Sequence, residues 1–249
     1  MVGRVQLDAL VVCASELESR GFAEALRSGQ SVRGHRFGLV IGQVRTLRVG
    51  VLTFDIAVRR VLNAAAAAVF TVHQPRLVVM AQLAIPLSPA VRPGQLFATR
   101  EVVVETEAGL IRTPVGELTV SVEYHSPVLS VRDLPLRTTK RRELLRRTGA
   151  IAAAWRSHTI ARAVCGHRGV DVAVFQPITA ADNSLPPEAL AVYGRGPGFR
   201  YGAAVGALLQ GWDRLKVVRK LRQEAAMHMR ELARGTLAIV ERILAQAGD

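Results

Sequence analysis

Cysteine is almost absent from this chain: Cys13 and Cys165 are the only two in 249 residues. A pair so far apart, each in an apolar context, excludes a disulfide-stapled scaffold, and both are expected to be reduced, buried thiols. Neither has partners at metal-ligand spacing, so no metal and no cofactor is expected. Aromatic residues are only 5%, and none interleave with basic runs, which removes the usual grounds for a nucleic-acid partner. Long hydrophobic runs are missing too. The start, MVGRVQLDALVVCASELESRG, holds an apolar run of only about six residues followed by acidic ones, a poor signal peptide and too short to span a bilayer, so the cytoplasm is the expected location. Lysine is scarce, with three residues among 33 Lys+Arg. The net charge of +13 therefore comes from arginine, which favours anionic partners but also fits a GC-rich coding background.

What is present is enough apolar content, 49%, for the substantial core of one larger α/β domain over residues 1–249. Leu7–Ala14 is a short apolar run of the kind buried on both faces of a sheet, and Ser15 then caps a helix with Glu16 and Glu18 in its first turn. Arg36–Phe54 alternates apolar and polar residues around Gly42 and Gly50, which predicts strands joined by tight turns. Asp55 is placed to cap a helix through Val61–Val72, whose run Ala64–Ala68 permits close approach to a sheet. Pro75–Gln82 is a second buried strand, and strand, helix, strand in this order implies a parallel crossover.

Further along, Gln95–Glu107 and Leu110–Tyr124, broken by Gly109 and Gly116, predict a bent, partly antiparallel extension of the sheet. Lys140, Arg141, Arg142, Arg146 and Arg147 read as the solvated face of an amphipathic helix carrying Leu144 and Leu145. Ala150–Cys165 reads as an apolar helix, and Val172–Phe175 as a buried strand released by Pro177. Gly194–Gly198 lacks the Lys-Ser/Thr ending of a phosphate loop and reads as a mobile loop. A C-terminal helical segment, 203–247, packs on the body with an interruption at Gly235; its basic face permits peripheral membrane contact, secondary to core packing. The sum is a single three-layer α/β/α domain around a central mixed sheet.

Within that order, Thr148-Gly149-Ala150, Ser157-His158, Ala181-Asp182 and Leu185-Pro186-Pro187 form a set of anchors. Their register resembles the nucleoside phosphorylase and nucleosidase superfamily, nearest the hopanoid-associated phosphorylase-like branch, which reads Thr-Gly-Ala, Asp-Met-Glu-Ser-His, Ser-Asp-Pro-Ala-Asp and Leu-Pro-Pro. The order of elements agrees over nearly the whole chain. The resemblance implies a nucleoside-phosphorylase-like fold, a homo-oligomer such as a dimer, and descent from enzymes that cleave the N-glycosidic bond of purine or related nucleosides. It also implies which positions to inspect. The pattern's Asp-Met-Glu falls on Ala154-Trp155-Arg156, its later acid on Thr179, and its strand-end Arg on Phe175. The glycine-rich segments fall on Ile56-Ala57-Val58 and Gln82-Leu83-Ala84-Ile85-Pro86, while a Glu near the first strand, Glu16 or Glu18, keeps its type.

These exchanges remove chemistry. A ribose clamp needs a carboxylate to accept two hydroxyl hydrogen bonds, whereas Arg156 only donates. Thr179 is no general acid near neutral pH, and Trp155 is much larger than Met. Three readings follow: a pocket repurposed for another small molecule, as in a cyclase or lyase of specialised metabolism; an active nucleosidase or phosphorylase with relocated groups at Glu16, Asp55 or Asp182; or a non-catalytic partner subunit. For the first, the expected ligand is a small apolar or anionic molecule. Its binding residues are Glu16, Phe54, Asp55, Gln82, Trp155, Phe175, Gln176, Thr179 and Asp182. Arg156 is then the group that stabilises an anionic or enolate-like oxygen, and His158 the proton carrier, although His158 also fits a structural hydrogen bond.

Overall fold

The structure, a computed structural model, describes residues 5–34, 37–54, 59–116, 118, 122–125, 127–193 and 212–247. In chain order the first half holds β1 (Val5–Cys13), α1 (Glu16–Ala25), β2 (Arg27–Gly34), β3 (Phe37–Val44), β4 (Leu47–Phe54), α2 (Arg59–Val72) and β5 (His73–Pro86). Then come β6 (Phe97–Thr99), β7 (Glu101–Thr106), β8 (Gly109–Pro114), β9 (Glu123–Tyr124), β10 (Val128–Val131), α3 (Thr138–Thr148), β11 (Ala152–Trp155), α4 (Ser157–Cys165), β12 (Val172–Pro177), α5 (Ala189–Tyr193) and α6 (Trp212–Gln246).

The apolar runs read from the sequence become the central strands. β1 lies parallel between β4 and β5, with Val11 opposite both Val51 and Val79. On β5 the sheet divides. Val79–Ala84 pairs in parallel with β12, and Ala84–Pro86 pairs antiparallel with β11. From β11 the sheet continues through β10 and the β7–β8 hairpin, while β12 leads to β6 and β9, so the mixed sheet carries the bent extension. Successive residues face opposite layers. Val79, Ala81 and Ile85 pack with Phe22 of α1 and Leu232 and Val240 of α6, whereas Val78, Met80 and Ala84 pack with Leu62 and Val69 of α2 and Ile160 of α4. Three layers result.

Several expectations change. Ala150–Cys165 is not one helix. Gly149, left-handed at φ 67, caps α3, its N–H donating to the Leu145 carbonyl, and Ala152–Ala154 then form a wholly buried strand between β5 and β10. Arg156, at φ 53, turns the chain into α4. Short alanine runs carry no period of their own, and the free backbone edges on either side decide the outcome. β2 was not foreseen. Gly42 and Gly50 lie inside β3 and β4, and the turn between these strands is Arg45-Thr46. A Cβ on Gly42 would come within 2.8 Å of Leu26 Cβ, so this glycine serves packing. Gly235 does not interrupt α6; a side chain there would collide with Leu96. Cys13 is buried, but Cys165 is exposed at the end of α4. The cap at Asp55, the loop Gly194–Gly198 and residues 203–211 lie outside the described residues.

Arg141 is the clearest departure from the solvated-face reading, because it is fully buried. Its guanidinium donates to the carbonyls of Pro135, Leu136, Ala180 and Asn183 at 2.7–3.1 Å. One side chain thus fastens the turn before α3 to the loop after β12. Burial lowers its pKa from the usual arginine value, yet charge-assisted bonds to four carbonyls offset the loss of water. Replacing Arg141 by Met leaves those carbonyls without donors. Arg141→Met is expected to lower unfolding free energy in urea by about 3 kcal/mol and to speed amide exchange across 180–185.

Candidate functional site

The carboxyl end of the central strands is closed by one acid. Ser15 and Glu18 form a reciprocal capping box at the start of α1: the Glu18 N–H donates to Ser15 Oγ, and Glu18 Oε2 accepts from the Ser15 N–H at 3.0 Å. The same oxygen accepts from the Ala14 N–H at 2.8 Å, and Oε1 accepts from the Leu83 N–H at 2.8 Å. Glu18 therefore ties the end of β1 to the middle of β5. A carboxylate has about four lone-pair sites, and three are taken, which leaves one on Oε1 for a ligand or a proton.

Burial raises the Glu18 pKa from 4.5 to about 7, against the opposing pull of the backbone donors, led by Leu83 and then Ala14. Glu18 is accordingly a poised acid/base group near neutral pH. Around it stand Ser15, Leu17, Leu83, Ala84, Ile85, Leu134, Trp155, Ile178 and Tyr193, lining a partly open cavity of about 30 Å³. That is room for a water molecule or two, far below the few hundred Å³ of ordinary ligand pockets. Burial, then the nearby charge of Glu224, pushes the Tyr193 phenol up, so it remains a neutral donor. Burial and then Glu18 raise the Cys13 thiol well above its usual value, which keeps this cysteine unreactive.

The structure brings some of the expected residues together and separates others. Trp155 lines the cavity, and the Arg156 guanidinium lies 5.5 Å from its ring centroid in a cation–π contact. Thr179 follows Ile178, whose N–H donates to the Ala84 carbonyl at 3.0 Å, and is half-buried. Gln82 is fully buried on β5 opposite Phe175, and neither atom of its amide has a hydrogen-bond partner among the described residues. Trp155 Nε1 and Ser157 Oγ are likewise buried without partners. A ligand or ordered water would satisfy such groups.

Elsewhere, His158 Nδ1 meets Thr113 Oγ1 at 3.0 Å and its backbone N–H donates to Ser130 Oγ, apart from the cavity lining. Phe54 is buried core at the end of β4, and Phe175 stacks on Phe97. Gln176 faces α6 and donates to Glu231. Glu16 pairs with Arg20, and Asp182 is exposed. Asp55 lies outside the described residues. Of Glu16 and Glu18, between which the sequence left the family's Glu open, Glu18 lines the cavity and Glu16 does not; the Ser-x-x-Glu spacing and the Glu18–Phe22 separation of one helical turn are the signals that separate them. Among the described residues, no three His, Cys, Asp or Glu are grouped to hold a metal, and no helix is long and apolar enough to cross a membrane.

By sequence, no family model and no curated protein matches the chain. Solved structures do match. The apo form of 5′-methylthioadenosine nucleosidase from Arabidopsis thaliana superposes with a TM-score of 0.65 at 12% identity, over 96% of this chain and 97% of that one. The chain shares the fold of solved nucleosidases. 5′-Methylthioadenosine/S-adenosylhomocysteine nucleosidase from Helicobacter pylori, complexed with a substituted pyrrolidin-3-ol, gives 0.63 at 9% identity over 96% and 99% of the two chains. Futalosine hydrolase from Helicobacter pylori gives 0.57 at 9% over 94% and 99%. This nucleosidase-like frame positions Glu18 at the strand ends.

Because the Glu18 pKa is raised on folding, its stabilising effect is complete below the unfolded value of 4.5 and lost as pH rises through about 7. Wild-type stability should fall across this window by about 3 kcal/mol on account of Glu18. In Glu18→Gln that component disappears, so the advantage of the wild type over the variant, measured by urea unfolding, narrows as pH rises.

Proposed function

We propose that this nucleoside-phosphorylase-like protein, nearest the hopanoid-associated branch, has lost standard N-glycosidic cleavage. It uses the reshaped cavity for a different, small and largely apolar molecule. The observation that carries this reading is the cavity itself, about 30 Å³ lined by Trp155 and aliphatic side chains. A purine nucleoside does not fit such a volume without displacing its walls. The pattern's ribose-binding carboxylate is replaced by Arg156 and its later acid by Thr179, so neither the sugar clamp nor the leaving-group acid is supplied at those positions.

What remains is one buried acid/base group. The open site on Glu18 Oε1 accepts a hydrogen bond when ionised and donates one when protonated, and both states are populated near neutral pH. Such a group suits proton transfer on a carbonyl or hydroxyl compound, the chemistry of a cyclase or lyase, with Arg156 beside Trp155 as the cation for a developing oxyanion. The partnerless Trp155 Nε1 adds a polar group to an apolar surround.

A second reading, an active nucleosidase, is favoured by the same Glu18, since a carboxyl with pKa near 7 is a suitable base for a water held in a cavity of this size. The two readings separate on one assay. Incubation with adenosine, methylthioadenosine and futalosine, with and without phosphate, is expected to release no base above the uncatalysed rate. Release that is abolished in Glu18→Gln would establish the nucleosidase instead.

A further inference from the structure

Between α1, α6 and the β3–β4 turn lies a groove of about 440 Å³, an order of magnitude larger than the Glu18 cavity and within the range of small-ligand sites. Gly21 brings α1 directly onto α6, because a Cβ there would collide with the Met229 carbonyl. Next to this contact, the small residues Ala25, Ala233 and Ala238 leave the space open, with Val44 and Leu237 completing an apolar floor.

The charges around this floor do not balance. At one end Glu24 of α1 pairs with Arg230 of α6 at 3.1 Å, and at the other Arg45 pairs with Glu241 of α6 at 2.9 Å. Arg45 occupies the β3–β4 turn at φ 53, a left-handed position usually given to Asn or Gly. Exposed pairs of this kind add little stability. Their effect here is to engage both carboxylates of the groove with Arg230 and Arg45. Arg234, one turn after Arg230 on the same stripe of α6, is exposed and has no hydrogen-bonding or ionic partner among the described residues. Three arginines against two glutamates leave one positive charge uncompensated beside an apolar floor.

We propose that this groove binds a small monocarboxylate with a short aliphatic body. The carboxylate takes the planar fork of Arg234, and the chain lies on Ala25, Val44 and Leu237. A cation meets Arg234, and a dianion meets Glu24 and Glu241 once its first charge is matched. The site is separate from the Glu18 cavity, so it stands whether or not the proposed cavity function holds.

Titration of the full-length, isotope-labelled protein with hexanoate, hexanol and hexylammonium, followed by amide NMR shifts, tests this directly. Hexanoate is expected to give saturable shifts confined to residues 21–25, 44–45 and 230–241. Hexanol should bind roughly fivefold more weakly and hexylammonium not at all. Arg234→Gln, on an exposed position, should keep the wild-type melting temperature and weaken hexanoate binding roughly tenfold. Absence of saturable shifts, equal binding of hexanoate and hexylammonium, unchanged affinity in Arg234→Gln, or shifts centred on Glu18 would each overturn the proposal.

Discussion

Glu18 is the joint of the site. Strand ladders satisfy backbone groups only where strands overlap, and at the end of β1 the N–H groups of Ala14 and Ser15 have run past that overlap. Glu18 collects both, adds the Leu83 N–H from β5, and caps its own helix in the same arrangement. The structural need explains why a carboxyl is kept in an apolar surround that raises its pKa. It also limits chemistry, because only one lone pair of the group remains open.

The rest of the site is organised by how the sheet divides at β5. β12 and β11 pair with successive stretches of that strand, which sets Ile178 and Trp155 beside the segment that Glu18 holds. Arg141 then fixes the loop after β12 through the Ala180 and Asn183 carbonyls, so the wall carrying Ile178 and Thr179 is anchored. With both walls held and Trp155 between them, the cavity is small by construction. The frame and the small cavity have the same physical origin: a divided central strand, backed by buried hydrogen bonds.

Much of this frame was legible in the sequence. The continuous apolar runs of β1, β5 and β12 read directly as buried strands, and the anchors from Thr148 to Pro187 pointed to the fold shared with solved nucleosidases only 9–12% identical, where sequence matching finds nothing. The errors share a cause. Ala152–Ala154 has no period that separates strand from helix, and its state depends on edges supplied by residues far away. Arg141 was read with its charged neighbours, although it lies one turn before the buried Leu144 and two of its four partners are carbonyls 39 and 42 residues distant. Glu16 and Glu18 differ by two residues, enough to place one on the solvent side and the other on the face of Phe22. Long-range satisfaction of polar groups was the information that local pattern did not contain.

The claim that matters most is that the cavity lined by Glu18 and Trp155 is too small to take a purine base. Calorimetric titration of the wild-type protein with adenine addresses it without requiring turnover. Our account predicts no saturable heat up to about millimolar adenine, an affinity no better than about −4 kcal/mol. Saturable binding at micromolar concentration would show that the cleft still opens to a purine and would contradict the account.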